Sequence, residues 1–275
     1  MRQRTIKDKV RIEGIGIHTG ERTRITLHPA DENTGVRFLR KGVYIPASPD
    51  HVVGTFLSTD LGCGSVTVKT VEHLLATLHL LRITNTVIEV EGGCEIPIMD
   101  GSAYAFYSEL KGLVVDQTEE TEPFSVTGKV RVSSGKASIE AEPCSCFEIT
   151  YEGVFKGCLG EQRFTFRGNA EDVILARTFC FDEDIEFIRS KGLGRGGSLD
   201  NTLVIGRNGV YNREGLRYEN EPARHKVLDL IGDLYLLGAP FRGRVVSRGG
   251  GHTLNYMFVK KIHRASKLGL ESLRG

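Results

Sequence analysis

The chain carries the same five-position apolar stripe twice. Val71, Leu74, Leu75, Leu78 and Leu81 recur at helical spacing, as do Val227, Leu230, Ile231, Leu234 and Leu237, and every pair lies 156 residues apart. This periodicity predicts an amphipathic helix at each place. Leu78-His79-Leu80-Leu81 also matches Leu234-Tyr235-Leu236-Leu237, which argues for an internal repeat. Coincidence is the alternative, since leucine is common in helices. A duplication would restrict the fold to an α+β class built of two similar α/β-sandwich halves. Each half would be an antiparallel sheet with helices on one face, and the helices would pack between the two sheets. On the repeat register His73 corresponds to Asp229, so packing helix on helix would bring those side chains together.

The rest of the pattern fits such halves. With 275 residues, 40% of them hydrophobic, the chain can build one large core or two ordinary ones. Alternating stretches predict strands at 9–17, 22–28, 36–39, 43–45 and 86–91, with helices at 70–82 and 104–110. The polar run Asp116–Glu122, closed by Pro123, reads as a boundary between a first half, 1–117, and a second, 123–275. Later strands are expected at 124–132, 136–142, 147–154, 163–166, 202–205 and 244–247. The segment 172–200 looks inserted, with a helix near Glu183–Ser190 and a glycine-rich stretch to Gly197. A final helical segment starts at about Leu254.

Composition narrows the function classes. Thirty-six basic and 35 acidic side chains leave a net charge of +1, which calls for neither nucleic acid nor a membrane as bulk partner. No apolar run is long enough to span a bilayer, and Met-Arg-Gln-Arg lacks a signal-peptide core. Six cysteines form no Cys-x-x-Cys, and Cys144-x-Cys146 is a poor zinc spacing. The expectation is a cytoplasmic protein with six free thiols, acting on a small molecule as a monomer.

Two short stretches carry candidate chemistry. Past Pro222, His225, Asp229 and Asp233 fall one turn apart on the side opposite the second stripe. No Lys, Arg, Asp or Glu occurs between Asp233 and Arg242, so that side should be dry as well. Taken alone, the trio also describes a His–Asp pair on a solvated helix face, worth a few tenths of a kcal/mol. The first helix supplies Glu72-His73. His73, His225 and Asp229 make two imidazoles and a carboxylate, three ligands with a fourth position open, as in catalytic zinc sites. Glu72 beside a ligand is placed to take a proton from water whose pKa the metal lowers; alternatively it is a carboxylate favoured by the helix dipole. His252 follows three glycines and would stabilise an oxyanion and protonate a leaving amine, with Asp233 orienting it. A flexible turn bearing an exposed histidine is the other reading.

Several segments together resemble the zinc-dependent UDP-3-O-acyl-N-acetylglucosamine deacetylase (LpxC) family, in particular its short, thermophile-type members. They are Thr70-Val71-Glu72-His73-Leu74, Asp100-Gly101-Ser102, Leu175-Ala176-Arg177-Thr178-Phe179, Gly196-Gly197-Ser198-Leu199, Arg217–Pro222, His225–Leu234 and Gly250-Gly251-His252. The likeness runs from about residue 6 to about residue 258, with the motifs in order. It implies hydrolysis of the N-acetyl group of a UDP-linked, 3-O-acylated glucosamine, in lipid A synthesis. It implies one Zn²⁺ per chain, with Fe²⁺ as the other candidate, held by His73, His225 and Asp229. Glu72 would be the general base, His252 the electrostatic stabiliser and acid held by Asp233, and Thr178 an oxyanion contact. Lys226, His18 and Gly197 would meet the substrate, and Phe179, Cys180 and Ile185 would line a passage for the acyl chain. Phe56-Leu57 departs from the polar residues expected there, and the tail after Lys260 has no match. The competing reading is a catalytically silent nucleotide-sugar- or lipid-binding protein on the same scaffold, which would need neither Glu72 nor His252. A hydrolase acting on another amide is a third reading; His-Glu-x-x-His, the common metalloprotease pattern, is absent.

Overall fold

The computed structural model describes the backbone of residues 1–272 and the side chains of residues 1–266; the end of the second half, 273–275, lies outside the described residues. The chain opens with β1 (Arg2–Ile6), β2 (Val10–Ile15), β3 (Arg22–Pro29), β4 (Val36–Arg40) and β5 (Val43–Pro46). Three short strands follow, β6 (Val52–Gly54), β7 (Asp60–Cys63) and β8 (Val66–Val68), then α1 (Glu72–Leu81), β9 (Thr86–Gly92), α2 (Tyr104–Leu110) and β10 (Val114–Glu120). The remainder is β11 (Phe124–Ser125), β12 (Val130–Ser134), β13 (Ala137–Glu142), β14 (Phe147–Phe155), β15 (Gly160–Phe166), β16 (Phe179–Phe181), α3 (Ile185–Ser190), β17 (Leu203–Ile205), α4 (Glu221–Tyr235), β18 (Phe241–Arg248) and α5 (His252–Ser272).

The duplication is written in the sheets. One has the order β2-β3-β9-β4-β5 and the other β12-β13-β18-β14-β15, with β11 beside β18. Along these five-strand orders the senses match pair for pair, including one parallel pair in each, β4 with β9 and β14 with β18; the extra strand β11 also runs parallel to β18. The sheets are therefore mixed rather than wholly antiparallel. The parallel pair arises because the chain leaves β4 or β14, makes an excursion and returns through a helix, and such a crossover delivers the next strand in the same direction. The alternation that predicted β2 and β3 is visible in burial: Val10, Ile12, Thr23, Ile25 and Leu27 face inward.

α1, α2, α4 and α5 share one continuous core with both sheets. α4 rests on β14 and β15, α5 on β12 and β13, and α1 packs against α4 and α2. Val71, Leu74, Leu75, Leu78, Val227, Leu230, Ile231 and Leu234 are all buried. Each fully buried leucine or isoleucine contributes roughly 1.5–3 kcal/mol relative to exposure. At the α1–α4 crossing Gly232 sits on the Glu72 backbone: a Cβ there would fall well inside contact distance of the Glu72 carbonyl. The same crossing stacks the His79 and Tyr235 rings, centroids 4.8 Å apart. His79 Nδ1 donates to the Ile231 carbonyl at 2.9 Å, its Nε2 accepts from the Phe241 N–H at 3.0 Å, and the Tyr235 hydroxyl donates to the Ile83 carbonyl at 2.6 Å.

Two expectations need correcting, and one strand is additional to them. β10 runs through the polar stretch to Glu120 and pairs antiparallel with β1. The stretch 124–132 is broken into β11 and β12. Cys144 and Cys146 are joined by a disulfide, their Cα atoms 5.1 Å apart, so the set is not six free thiols. The tight turn from β13 to β14 places both sulfurs within bonding reach; Cys63, Cys94, Cys158 and Cys180 are free. Among the described residues no helix is long and apolar enough to cross a membrane.

Candidate active site

Both excursions that precede the paired helices turn towards the same end of the α1–α4 crossing. In the first half it is the three-stranded β6-β7-β8 sheet. In the second it is a β-α-β unit: β16 runs parallel to β17, with the 3-10 turn Asp182–Asp184 and α3 between them. The inserted segment thus extends to Ile205. Between the excursions lies a cavity of about 820 Å³. It is lined by Glu72, His73, His225, Asp229 and His252, and by Thr178, Lys226, His18 and Gly197. Phe179, Cys180 and Ile185 complete the expected set on its wall, and Phe56 and Leu57 stand at the exposed side. Asp233 is behind His252, off the cavity.

Gly232 permits the approach that brings the candidate metal ligands together. His73 Nε2 lies 3.6 Å and His225 Nε2 3.3 Å from Asp229 Oδ1, and the two imidazoles meet edge to face at 4.9 Å. All three residues are buried. His225 Nδ1 donates to the Ala176 carbonyl at 3.0 Å, which leaves the lone pair on Nε2. Burial, with His73 and Lys226 nearby, pulls the His225 imidazole down to about 3 despite Asp229, so the ring is neutral. Asp229 Oδ2 accepts from Lys226 Nζ at 2.9 Å, whereas Oδ1 is buried with no hydrogen-bond partner. Burial opposes the charge on Asp229, but His225, Lys226 and His252 hold it well below the usual carboxylate range. A buried, charged oxygen without a donor is costly. Here it faces two imidazole nitrogens, and the three candidate ligand atoms lie within 4.8 Å of one another. Two nitrogens and one carboxylate oxygen suit a divalent cation such as zinc.

Proton-handling groups flank this trio. Glu72 Oε2 accepts from the Thr59 N–H at 2.9 Å, and Oε1 lies 3.9 Å from His252 Nε2. Burial pushes the Glu72 carboxyl up to about 7, against the pull of His252 and His73. His252 opens α5, and its Nδ1 donates to Asp233 Oδ2 at 3.1 Å. Burial disfavours the imidazolium, but Asp233, Asp229 and Glu72 outweigh it and push His252 up to about 9. Near neutral pH one group can accept a proton and the other can give one.

The wall opposite is held by contacts the sequence did not announce. The Thr178 N–H donates to the Gly101 carbonyl at 2.7 Å; Gly101 has φ +87° and abuts the Asn201 carbonyl, so no Cβ fits there. Arg177 is fully buried and pairs with Glu221, Nε to Oε1 at 2.8 Å, fixing the neighbouring Ala176 carbonyl that orients His225. Glu95, also fully buried, accepts from the His18 and Thr19 N–H groups at 2.9 and 2.7 Å and holds the His18 turn. Thr59, Glu95 and Asn255 were missed. They are single polar letters without periodicity, and nothing in the sequence marks them.

A family model described as UDP-3-O-acyl N-acetylglycosamine deacetylase matches residues 3–264. A protein of Aquifex aeolicus named UDP-3-O-acyl-N-acetylglucosamine deacetylase is 54% identical over 97% of this chain and 94% of its own length. Proteins of the same name from Thermodesulfovibrio yellowstonii and Leptospira biflexa are 41% and 40% identical, each over 94% of this chain and over 91% and 89% of their own lengths.

Proposed function

This chain belongs to the UDP-3-O-acyl N-acetylglycosamine deacetylase family, and from that premise we propose that it hydrolyses the acetamide of a UDP-linked, 3-O-acylated N-acetylglucosamine. The products are acetate and the free amine, for lipid A synthesis, and the enzyme acts as a cytoplasmic monomer. The observation that carries the reading is the partnerless Asp229 Oδ1, facing His73 and His225 on the wall of a large cavity. His73, His225 and Asp229 would hold Zn²⁺, or Fe²⁺ as the alternative. Bound there, the cation would supply Lewis-acid chemistry to the acetamide.

The side chains perform the proton work. Glu72 accepts a proton from the attacking water, which its pKa of about 7 permits at neutral pH. His252, charged because Asp233 lies behind it, gives a proton to the departing nitrogen. The Thr178 hydroxyl donates to the oxygen that gains charge. Lys226 spans the gap between Asp229 and the Phe179 ring, 5.3 Å away, where a polar group of the substrate can reach it. Phe179, Cys180 and Ile185 offer the acyl chain an apolar wall. A silent binding protein would have no use for Glu72 and His252 set 3.9 Å apart beside a ligand trio.

The test is acetate release from the UDP-acyl-sugar with and without a chelator. Turnover should vanish with chelator and return with added zinc, and His225→Ala should lose metal and turnover together. Full turnover by metal-free protein would overturn the reading.

A further inference from the structure

We infer that Thr59 is the positioning residue that sets Glu72 and His252 against each other, an inference that rests on the deacetylase reading above. Thr59 lies just before β7 and is 1% exposed. Its backbone is tied to the start of α1: its carbonyl accepts from the Val71 N–H at 3.1 Å, and its own N–H donates to Glu72 Oε2 at 2.9 Å. That bond occupies one oxygen of Glu72 and leaves Oε1 towards His252.

The side chain does something different. The Thr59 hydroxyl donates to Asp233 Oδ1 at 2.6 Å. With its single proton committed there, Oγ1 presents lone pairs to His252 Nδ1, 3.2 Å away. The Nδ1–H of His252 is therefore held between two acceptors, Thr59 Oγ1 and Asp233 Oδ2. One hydrogen bond lets an imidazole pivot about that bond; two on the same N–H fix the ring and the tautomer, and so where Nε2 points. Asn255 and His252 reach Asp233 from the second half, whereas Thr59 reaches it from the first. One residue thus links the proton acceptor on α1 to the proton donor at the start of α5. A β-branched side chain suits the task, because its χ1 is stiff.

Thr59→Val keeps the shape and both backbone bonds but removes the hydroxyl; Thr59→Ser keeps the hydroxyl; Thr59→Ala serves if the valine variant does not fold. We expect Thr59→Val to lower kcat by ~10–100-fold, the usual effect of losing a supporting hydrogen bond at such a site, with KM and bound metal unchanged. Thr59→Ser should restore most of kcat, which lost packing alone would not allow. In nitrogen-15 NMR of the metal-free protein, the His252 Nδ1–H signal should persist in the parent and in Thr59→Ser, and exchange away in Thr59→Val. A Thr59→Val enzyme with parental kcat, a serine variant as slow as the valine one, or an unchanged ring signal in Thr59→Val would each overturn the inference. The ring signal requires no turnover. A parent inactive on the acyl-sugar would sink the deacetylase reading and leave the Thr59 assignment to be decided by that signal.

Discussion

α1 and α4 occupy equivalent places, each leading into the middle strand of its sheet, yet they carry opposite side chains at matching positions. At 156 residues' separation Glu72 corresponds to Leu228, His73 to Asp229, Ala76 to Gly232 and Thr77 to Asp233. The apolar stripe is common to both helices because each must fill a core. The remaining face has no such duty and has diverged. Thr77 turns its hydroxyl back onto the His73 carbonyl at 3.0 Å, while Asp233 reaches outward to Thr59, His252 and Asn255. The excursions have diverged further, into a small antiparallel sheet on one side and a β-α-β unit on the other. A symmetric scaffold has produced an asymmetric site, with each half providing what its partner lacks.

The sharpest way to separate the two helices is to truncate a matched pair. Glu72→Ala should keep the metal and lose turnover by ~10²–10⁴-fold. Leu228→Ala should keep the chemistry and lose about 2–5 kcal/mol of stability. Single-turnover rates and denaturant unfolding read the two effects, and similar losses in both assays for both variants would erase the contrast.

A second test uses the stacked pair at the crossing. Burial pulls His79 down to about 4, while it pushes the Tyr235 hydroxyl upward, so the tyrosine stays neutral in acid. Below pH ~6.5 the unfolded chain protonates this histidine and the folded chain does not, until the pH reaches the folded value. Stability from His79 is therefore complete above ~6.5 and falls as the pH drops towards 4, by on the order of 3 kcal/mol. Unfolding free energies at pH 7 and 4.5 should diverge less in His79→Gln than in the parent; parallel losses would refute the assignment.

The smallest effect is expected where the helices touch. Gly232→Ala places a Cβ against the Glu72 carbonyl and should destabilise by about 1–3 kcal/mol, weakening metal affinity as His73 moves from Asp229. Ala76→Gly, the mirror change, should cost only about 1 kcal/mol of helix stability and leave metal affinity unchanged. Equal metal affinities in the two variants would show that close approach at Gly232 does not govern the site.

These contrasts also show what could be read from the letters. The paired stripes predicted both central helices, and alternation predicted β2, β3 and β9, because burial on one face imposes a period that survives in sequence. β1, β6, β7 and β8 were not predicted. They are short, and Gln3 and Thr5 face inward where hydrophobic residues would announce a strand. β10 is not legible in its polar composition, because its pairing with β1 makes it a strand. The disulfide between Cys144 and Cys146 likewise depends on the path of a turn.

The sequence by itself determined the two amphipathic helices, the repeat that makes them partners, and the residue types able to hold a cation and move protons. Only the tertiary structure decided that His73 and Asp229 share an oxygen's reach, that Thr59 stands between Glu72 and His252, and that two unlike excursions enclose one cavity. Periodicity records which face of an element is buried. It carries no information on which distant element lies against that face, and at this site the chemistry depends on that contact.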